Sequence, residues 1–167
     1  MKQLILSAGL FFTLSFSSAG QSTKDSKGFG IALDSLGGSH LLRQCSRFTP
    51  IDISSFWVVS KTDANELEKN FPAIDSLKSA ECCRPGAKIT NRGNYAFQYI
   101  GVVINNRKFI YINAFPATDI AFMKKIQKDF NPKHAPIIVC DGGKSYWGAL
   151  YDIETKTFSQ LCFNGYA

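Results

Sequence analysis

The stretch from Tyr95 to Phe115, YAFQYIGVVINNRKFIYINAF, leaves the chain few ways to fold. Two runs of β-branched and aromatic residues flank Asn105-Asn106, and such runs favour a pleated, half-buried surface. Asparagine tolerates positive φ, so the pair reads as the two-residue loop of a β-hairpin. A loop of that length fixes the register. It sets Ile104 opposite Arg107, Val102 opposite Phe109, Ile100 opposite Tyr111 and Gln98 opposite Asn113. The other face then carries Tyr95, Phe97, Tyr99, Val103, Ile110 and Ile112. Both faces are largely apolar, so something must cover each of them.

The remaining segments supply candidate covers and neighbours. Gly30 to Asp34 reads as a short strand broken by Gly37-Gly38, and SSFWVVS, residues 54–60, as a buried strand. Asp63 followed by Glu66 has capping-box spacing, and Leu67, Phe71, Ile74 and Leu77 recur at helical intervals, with an interruption expected at Pro72. After Pro116, Thr118 or Asp119 can cap a second helix ending near Asn131-Pro132. Its apolar stripe is Ile120, Met123, Ile126 and Phe130, which leaves Lys124, Lys125 and Lys128 on the solvated face. PIIVC, SYWGALYD and TKTFSQLCF read as three further strands, joined at Asp141-Gly142-Gly143 and Glu154-Thr155. The fold class expected is α+β, a mainly antiparallel sheet of about five to seven strands with two helices packed on one face.

Residues 1–20, MKQLILSAGLFFTLSFSSAG, have the plan of a secretory signal peptide: one lysine, an apolar stretch from Leu4 to Phe16, then small residues. Cleavage after Ala19 or after Gly20 fits equally. The domain plan is then a signal peptide at 1–20, a flexible N-terminal segment at 21–27 and a single α+β domain at 28–167, secreted or periplasmic. No later run is long enough to span a bilayer. The net charge of +6 includes Lys2, so the mature chain would stand at 6 − 1 = +5. Outside the cytoplasm that charge points to anionic envelope components or acidic proteins rather than to nucleic acid.

The five cysteines, Cys45, Cys82, Cys83, Cys140 and Cys162, are disulfide candidates in an oxidising compartment. Adjacent Cys82 and Cys83 bridge each other only through a strained peptide, so one of them is expected to reach Cys45 or a strand. No zinc-site spacing occurs, and the only histidines are His40 and His134. Neither a metal nor a cofactor is expected.

The segment CDGG, residues 140–143, invites a catalytic reading. A nucleophilic Cys140 needs a base, and on an extended strand His134 would lie ~20 Å away. A hydrolase using Cys140, Asp141 and His134, or His40, therefore requires the fold to assemble it. A phosphate cradle needs a helix after the glycines, whereas strand formers follow. The simpler reading is a hairpin turn in which the glycines supply positive φ and Cys140 pairs with Ser145. With Glu154-Thr155 setting Trp147 opposite Cys162, Cys140 and Cys162 would lie two strands apart, ~9.5 Å, beyond disulfide reach. On the hairpin, Gln98, Tyr111 and Asn113 share a face amid apolar neighbours, the make-up of a small-ligand site. The competing reading is a satisfied cross-strand amide pair.

The segments YAFQYIGVVINNRKFIYINAF, IIVCDGGKSYWGALYDIETKTF and FNGYA resemble those of small, signal-peptide-bearing bacterial secreted or periplasmic proteins that carry no assigned activity. The resemblance covers about the C-terminal half and implies a secreted bacterial domain. It brings no catalytic residue. The expected function is that of a non-enzymatic extracytoplasmic domain binding an envelope protein or a small ligand. The alternative is a small secreted hydrolase whose cysteine, histidine and aspartate meet only in the fold.

Overall fold

Asn105 and Asn106 adopt positive φ, 50° and 60°, and close the central hairpin in the register that a two-residue loop dictates. The structure, a computed structural model, describes residues 30–79 and 84–166. The expected signal peptide, the segment 21–27 and Cys82 and Cys83 lie outside the described residues.

In chain order the elements are β1 (Gly30–Ala32), α1 (Ser35–Leu41), β2 (Ile53–Trp57), α2 (Lys61–Ile74), β3 (Tyr95–Ile104), β4 (Arg107–Pro116), α3 (Thr118–Ile126), β5 (Trp147–Asp152) and β6 (Thr157–Phe163). The sheet runs β1-β3-β4-β5-β6, with β2 also on β3. β1 pairs in parallel with Phe97–Tyr99, and β2 pairs antiparallel with residues 101–104, so the two short strands share one edge of β3 end to end. All other pairings are antiparallel. The fold is the expected α+β class.

Both sheet faces are covered, as their apolar character demands. On one face α2 lays Leu67, Phe71 and Ile74 over Phe97, Tyr99, Ile112, Trp147 and Tyr151. Each such side chain, fully buried, contributes about 1.5–3 kcal/mol. On the other face Leu41 of α1 joins Ile100, Val102, Tyr111 and Leu150, while Ile120 and Met123 of α3 reach Ala96, Phe115, Phe130 and Ile137. α2 thus covers one face, and α1 and α3 pack on the other.

Local expectations shift where packing outweighs pattern. Gly37-Gly38 does not break a strand but lies inside α1, because a Cβ on Gly38 would stand 2.1 Å from Ile100 Cδ1; the glycine lets the helix rest on the sheet. The α2 capping box is Ser60 with Asp63, not Asp63 with Glu66: Ser60 Oγ accepts from the Asp63 N–H at 3.2 Å, and Asp63 Oδ2 accepts from the Ser60 N–H at 2.9 Å. α2 passes through Pro72 and ends at Ile74. Pro72 has no N–H to donate to the Glu68 carbonyl, and only two helical residues follow it. α3 ends at Ile126 instead of near Asn131, and its N-cap is Ala117 with no side-chain cap bond.

PIIVC is not a strand; residues 136–140 cross the sheet face as an irregular strap. The hairpin pairing of Cys140 with Ser145 consequently does not form. Gly142 and Gly143 do take positive φ, 87° and 55°, and lead through a 3₁₀ turn at Gly143–Ser145 into β5. Between β5 and β6, Tyr151 opposes Phe158 and Leu150 opposes Ser159, as the Glu154-Thr155 turn requires. Gln160, at φ 52°, then adds one residue to β6. Past this bulge Trp147 opposes Phe163 and Cys162 opposes Gly148. No helix among the described residues is long and apolar enough to cross a membrane.

Candidate functional site

The expected ligand-binding trio comes together, but under cover. Gln98 and Asn113 face each other across β3 and β4, 0 % and 2 % exposed, with Tyr111 beside them at 2 %. Gln98 Nε2 donates to the carbonyls of Pro132 and Ala135 at 2.8 and 3.0 Å, and its Oε1 accepts from the Ile137 N–H at 2.8 Å. Asn113 Nδ2 donates to the Ile137 carbonyl at 2.9 Å. The two amides thereby hold the 132–137 backbone across the sheet, replacing the strand ladder that PIIVC lacks.

A buried arginine completes the arrangement. Arg47, on the strap after α1, donates from Nε to Tyr111 Oη at 3.1 Å, from Nη1 to Asn164 Oδ1 at 2.7 Å and from Nη2 to Asn113 Oδ1 at 2.5 Å. Asn164 Nδ2 in turn donates to the carbonyls of Val139 and Asp141 at 2.5 and 2.9 Å. A planar guanidinium suits this work because its N–H groups fan out in a fixed fork. Every member of the network is hydrogen-bonded, which is what a buried polar cluster needs to be stable. Gly148 makes room for it: a Cβ there would stand 2.3 Å from Tyr111 Oη and 3.0 Å from Arg47 Nε. Nothing in the local sequence around Arg47 or Asn164 marks either residue for this role.

A disulfide between Cys45 and Cys140 ties the same two straps together, with Cα atoms 5.0 Å apart. Cys45 thus pairs with Cys140 and not with Cys82 or Cys83, because residues 136–140 lie on the sheet face beside the Cys45 strap. While the bond stands, Cys140 has no thiolate to act as a nucleophile. Cys162 is also disulfide-bonded. Of the catalytic candidates, His134 bonds to Asp34 rather than to Asp141, and His40 stands exposed in the last turn of α1. Among the described residues no three His, Cys, Asp or Glu side chains are placed to hold a metal ion.

An open concavity among the described residues lies elsewhere, where β1 and β2 meet end to end on the edge of β3. It is a groove of about 290 Å³. Its walls include Leu33, Trp57 and Val58, and its polar rim is formed by Asp34, Ser35, Lys133 and His134. Trp57 is fixed by its indole N–H, which donates to the carbonyls of Val102 and Phe109 at 3.2 and 3.1 Å. Val58 just beyond β2 is 84 % exposed, a branched apolar side chain left in solvent at the groove.

Asp34 organises the rim. As N-cap of α1 it accepts from the Gly37 N–H at 2.7 Å through Oδ1, while Oδ2 meets His134 Nδ1 at 2.5 Å. Its own N–H donates to the Lys133 carbonyl at 3.0 Å. The Gly37 N–H first, and His134 second, hold the Asp34 carboxyl below the ordinary carboxylate value. With Nδ1 committed to the carboxylate, Nε2 is the imidazole nitrogen left for another contact. Among the described residues no hydrogen bond joins Ser35 to His134.

The fold and this groove define an α+β domain with a fixed, charge-rimmed apolar recess on one sheet edge. No protein-family model, no curated protein and no solved structure matches the chain.

Proposed function

We propose that the chain is an extracytoplasmic, non-enzymatic binding domain that takes a small ligand with an apolar body into the groove between β1 and β2. The observation that carries this reading is the groove itself: apolar walls at Leu33, Trp57 and Val58 with Asp34, Lys133 and His134 at the rim. Concave, mostly apolar recesses with a few placed polar groups are where small molecules bind. The Gln98–Tyr111–Asn113 cluster fits a structural role better, since protein groups already engage it. Export through a signal peptide at residues 1–20, to the periplasm or the medium of a bacterium, accords with the exposed Cys45–Cys140 bond, which reducing cytosols do not favour.

The test is to purify the protein without reductant from its host's envelope or culture fluid and record native mass spectra, then titrate recovered compounds while following Trp57 fluorescence. A co-purifying species that shifts the Trp57 emission, and loses affinity in Val58→Asp and Lys133→Glu, is the expected result. A ligand that binds both variants like the parent places the site elsewhere.

One geometry favours a second reading, a small hydrolase. Asp34 and His134 form a carboxylate–imidazole pair, and Ser35 lines the same groove. Turnover of an ester or amide panel, abolished by both Ser35→Ala and His134→Ala, would establish it over the binding reading.

A further inference from the structure

α3 is a helix with only one side accounted for. Ile120 and Met123 pack towards Phe115, Phe130 and Ile137, yet none of its nine residues is fully buried. Phe122 and Ile126, one turn apart, are 59 % and 61 % exposed. Lys125 flanks them on the helix and Lys128 follows just past its end, both in solvent, while exposed Lys124 stands on the opposite side of the helix; among the described residues none of the three forms an ion pair. Two acids share the segment: Asp119, whose carboxylate accepts from Tyr146 Oη at 2.8 Å, and exposed Asp129 beyond the helix. The chain as a whole carries +6.

We propose that this side of α3 docks the protein onto an anionic phospholipid surface, with Phe122 and Ile126 entering the boundary between headgroups and acyl chains and Lys125 and Lys128 meeting the headgroup phosphates. Helices that lie in this interface combine a protruding apolar side with a cationic one. Lysine stems bury along apolar surface while their ammonium groups remain among the headgroups. Each lysine near an anionic leaflet adds an attraction that salt screens. A folded protein partner is the poorer fit, because a stable protein interface takes roughly 800 Å² per side and two side chains supply a small part of that. A lipid surface needs only shallow insertion. The inference concerns different elements from the groove and stands whatever the groove binds.

The experiment is cosedimentation of the unreduced protein, its N-terminus fixed by mass, with vesicles of phosphatidylglycerol mixed into phosphatidylcholine and with vesicles of phosphatidylcholine alone. The parent is compared with Phe122→Ser/Ile126→Ser and with Lys125→Glu/Lys128→Glu, and circular dichroism confirms that all three are folded. Comparing variants in one N-terminal form separates α3 from any contribution of the first residues. The expected result is binding to the anionic vesicles that weakens about tenfold or more in each variant and falls at high salt. Equal binding by parent and variants overturns the proposal, as does indifference to the anionic lipid. Failure to bind vesicles combined with α3-dependent, salt-sensitive retention on an immobilised acidic protein overturns it in favour of a protein partner.

Discussion

At the scale of single residues, two positions concentrate the constraints of the fold. Gly148 lies under the Arg47–Tyr111 contact, where any Cβ collides with the phenol oxygen and the guanidinium. Gly148→Ala should therefore lower stability by about 1–3 kcal/mol, the range for overpacking a filled site, as read by urea unfolding. An unchanged midpoint would mean that the network yields without cost. Glu68 is the second position. Its carboxylate accepts from Tyr99 Oη at 3.0 Å, and burial raises its pKa above the ordinary value of 4.5. A raised acid favours its neutral form in the folded state, so its contribution is complete below 4.5 and lost as pH rises through the folded-state value. Thermal unfolding from acid to neutral pH should thus show the parent losing ground to Glu68→Gln as pH rises, with a constant gap counting against the assignment.

At the scale of elements, the two straps behave unlike the strands beneath them. β3 to β6 hold one another by backbone ladders, whereas residues 43–47 and 132–141 are held chiefly by side chains, Gln98, Asn113, Arg47 and Asn164 from below and the Cys45–Cys140 bond from above, with single backbone bonds at Ser46 and Lys133. The bond closes a separation of 95 residues, and a loop that long restricts the unfolded chain strongly. Replacing both cysteines, Cys45→Ser with Cys140→Ser, should cost about 2–4 kcal/mol in chemical unfolding yet leave the sheet folded, because the hydrogen-bonded network remains. Hydrogen exchange should rise at the strap amides while those of β3 and β4 stay protected. Loss of protection across the whole sheet would show that the straps, and not the strands, hold the core together.

At the scale of the molecule, what could be read in advance is what local chemistry encodes. The hairpin register follows from Asn105-Asn106 alone, and α2 follows from the spacing of Leu67, Phe71 and Ile74. The α+β class and the need to cover both faces followed from these two elements. Short-range rules misread Gly37-Gly38 because the reason for those glycines is Ile100, far off in sequence. They misread PIIVC because its apolar residues satisfy a strand pattern while its backbone partners are side chains of Gln98 and Asn113. The groove was hidden for the same reason: Asp34 and His134 are 100 positions apart, and neither neighbourhood points to the other. No local pattern distinguishes Arg47, and only the fold lays it over Tyr111 and Asn113.

The connectivity of the Cys45–Cys140 bond also bears on how the protein is made. A chain threaded N-terminus first, from a ribosome or through a pore, presents Cys45 long before Cys140, and Cys82 and Cys83 emerge in between. Oxidation in order of emergence would join Cys45 to one of those nearer thiols, so the native pair is reached only by withholding oxidation until the C-terminal half has arrived or by exchanging an early partner for a later one.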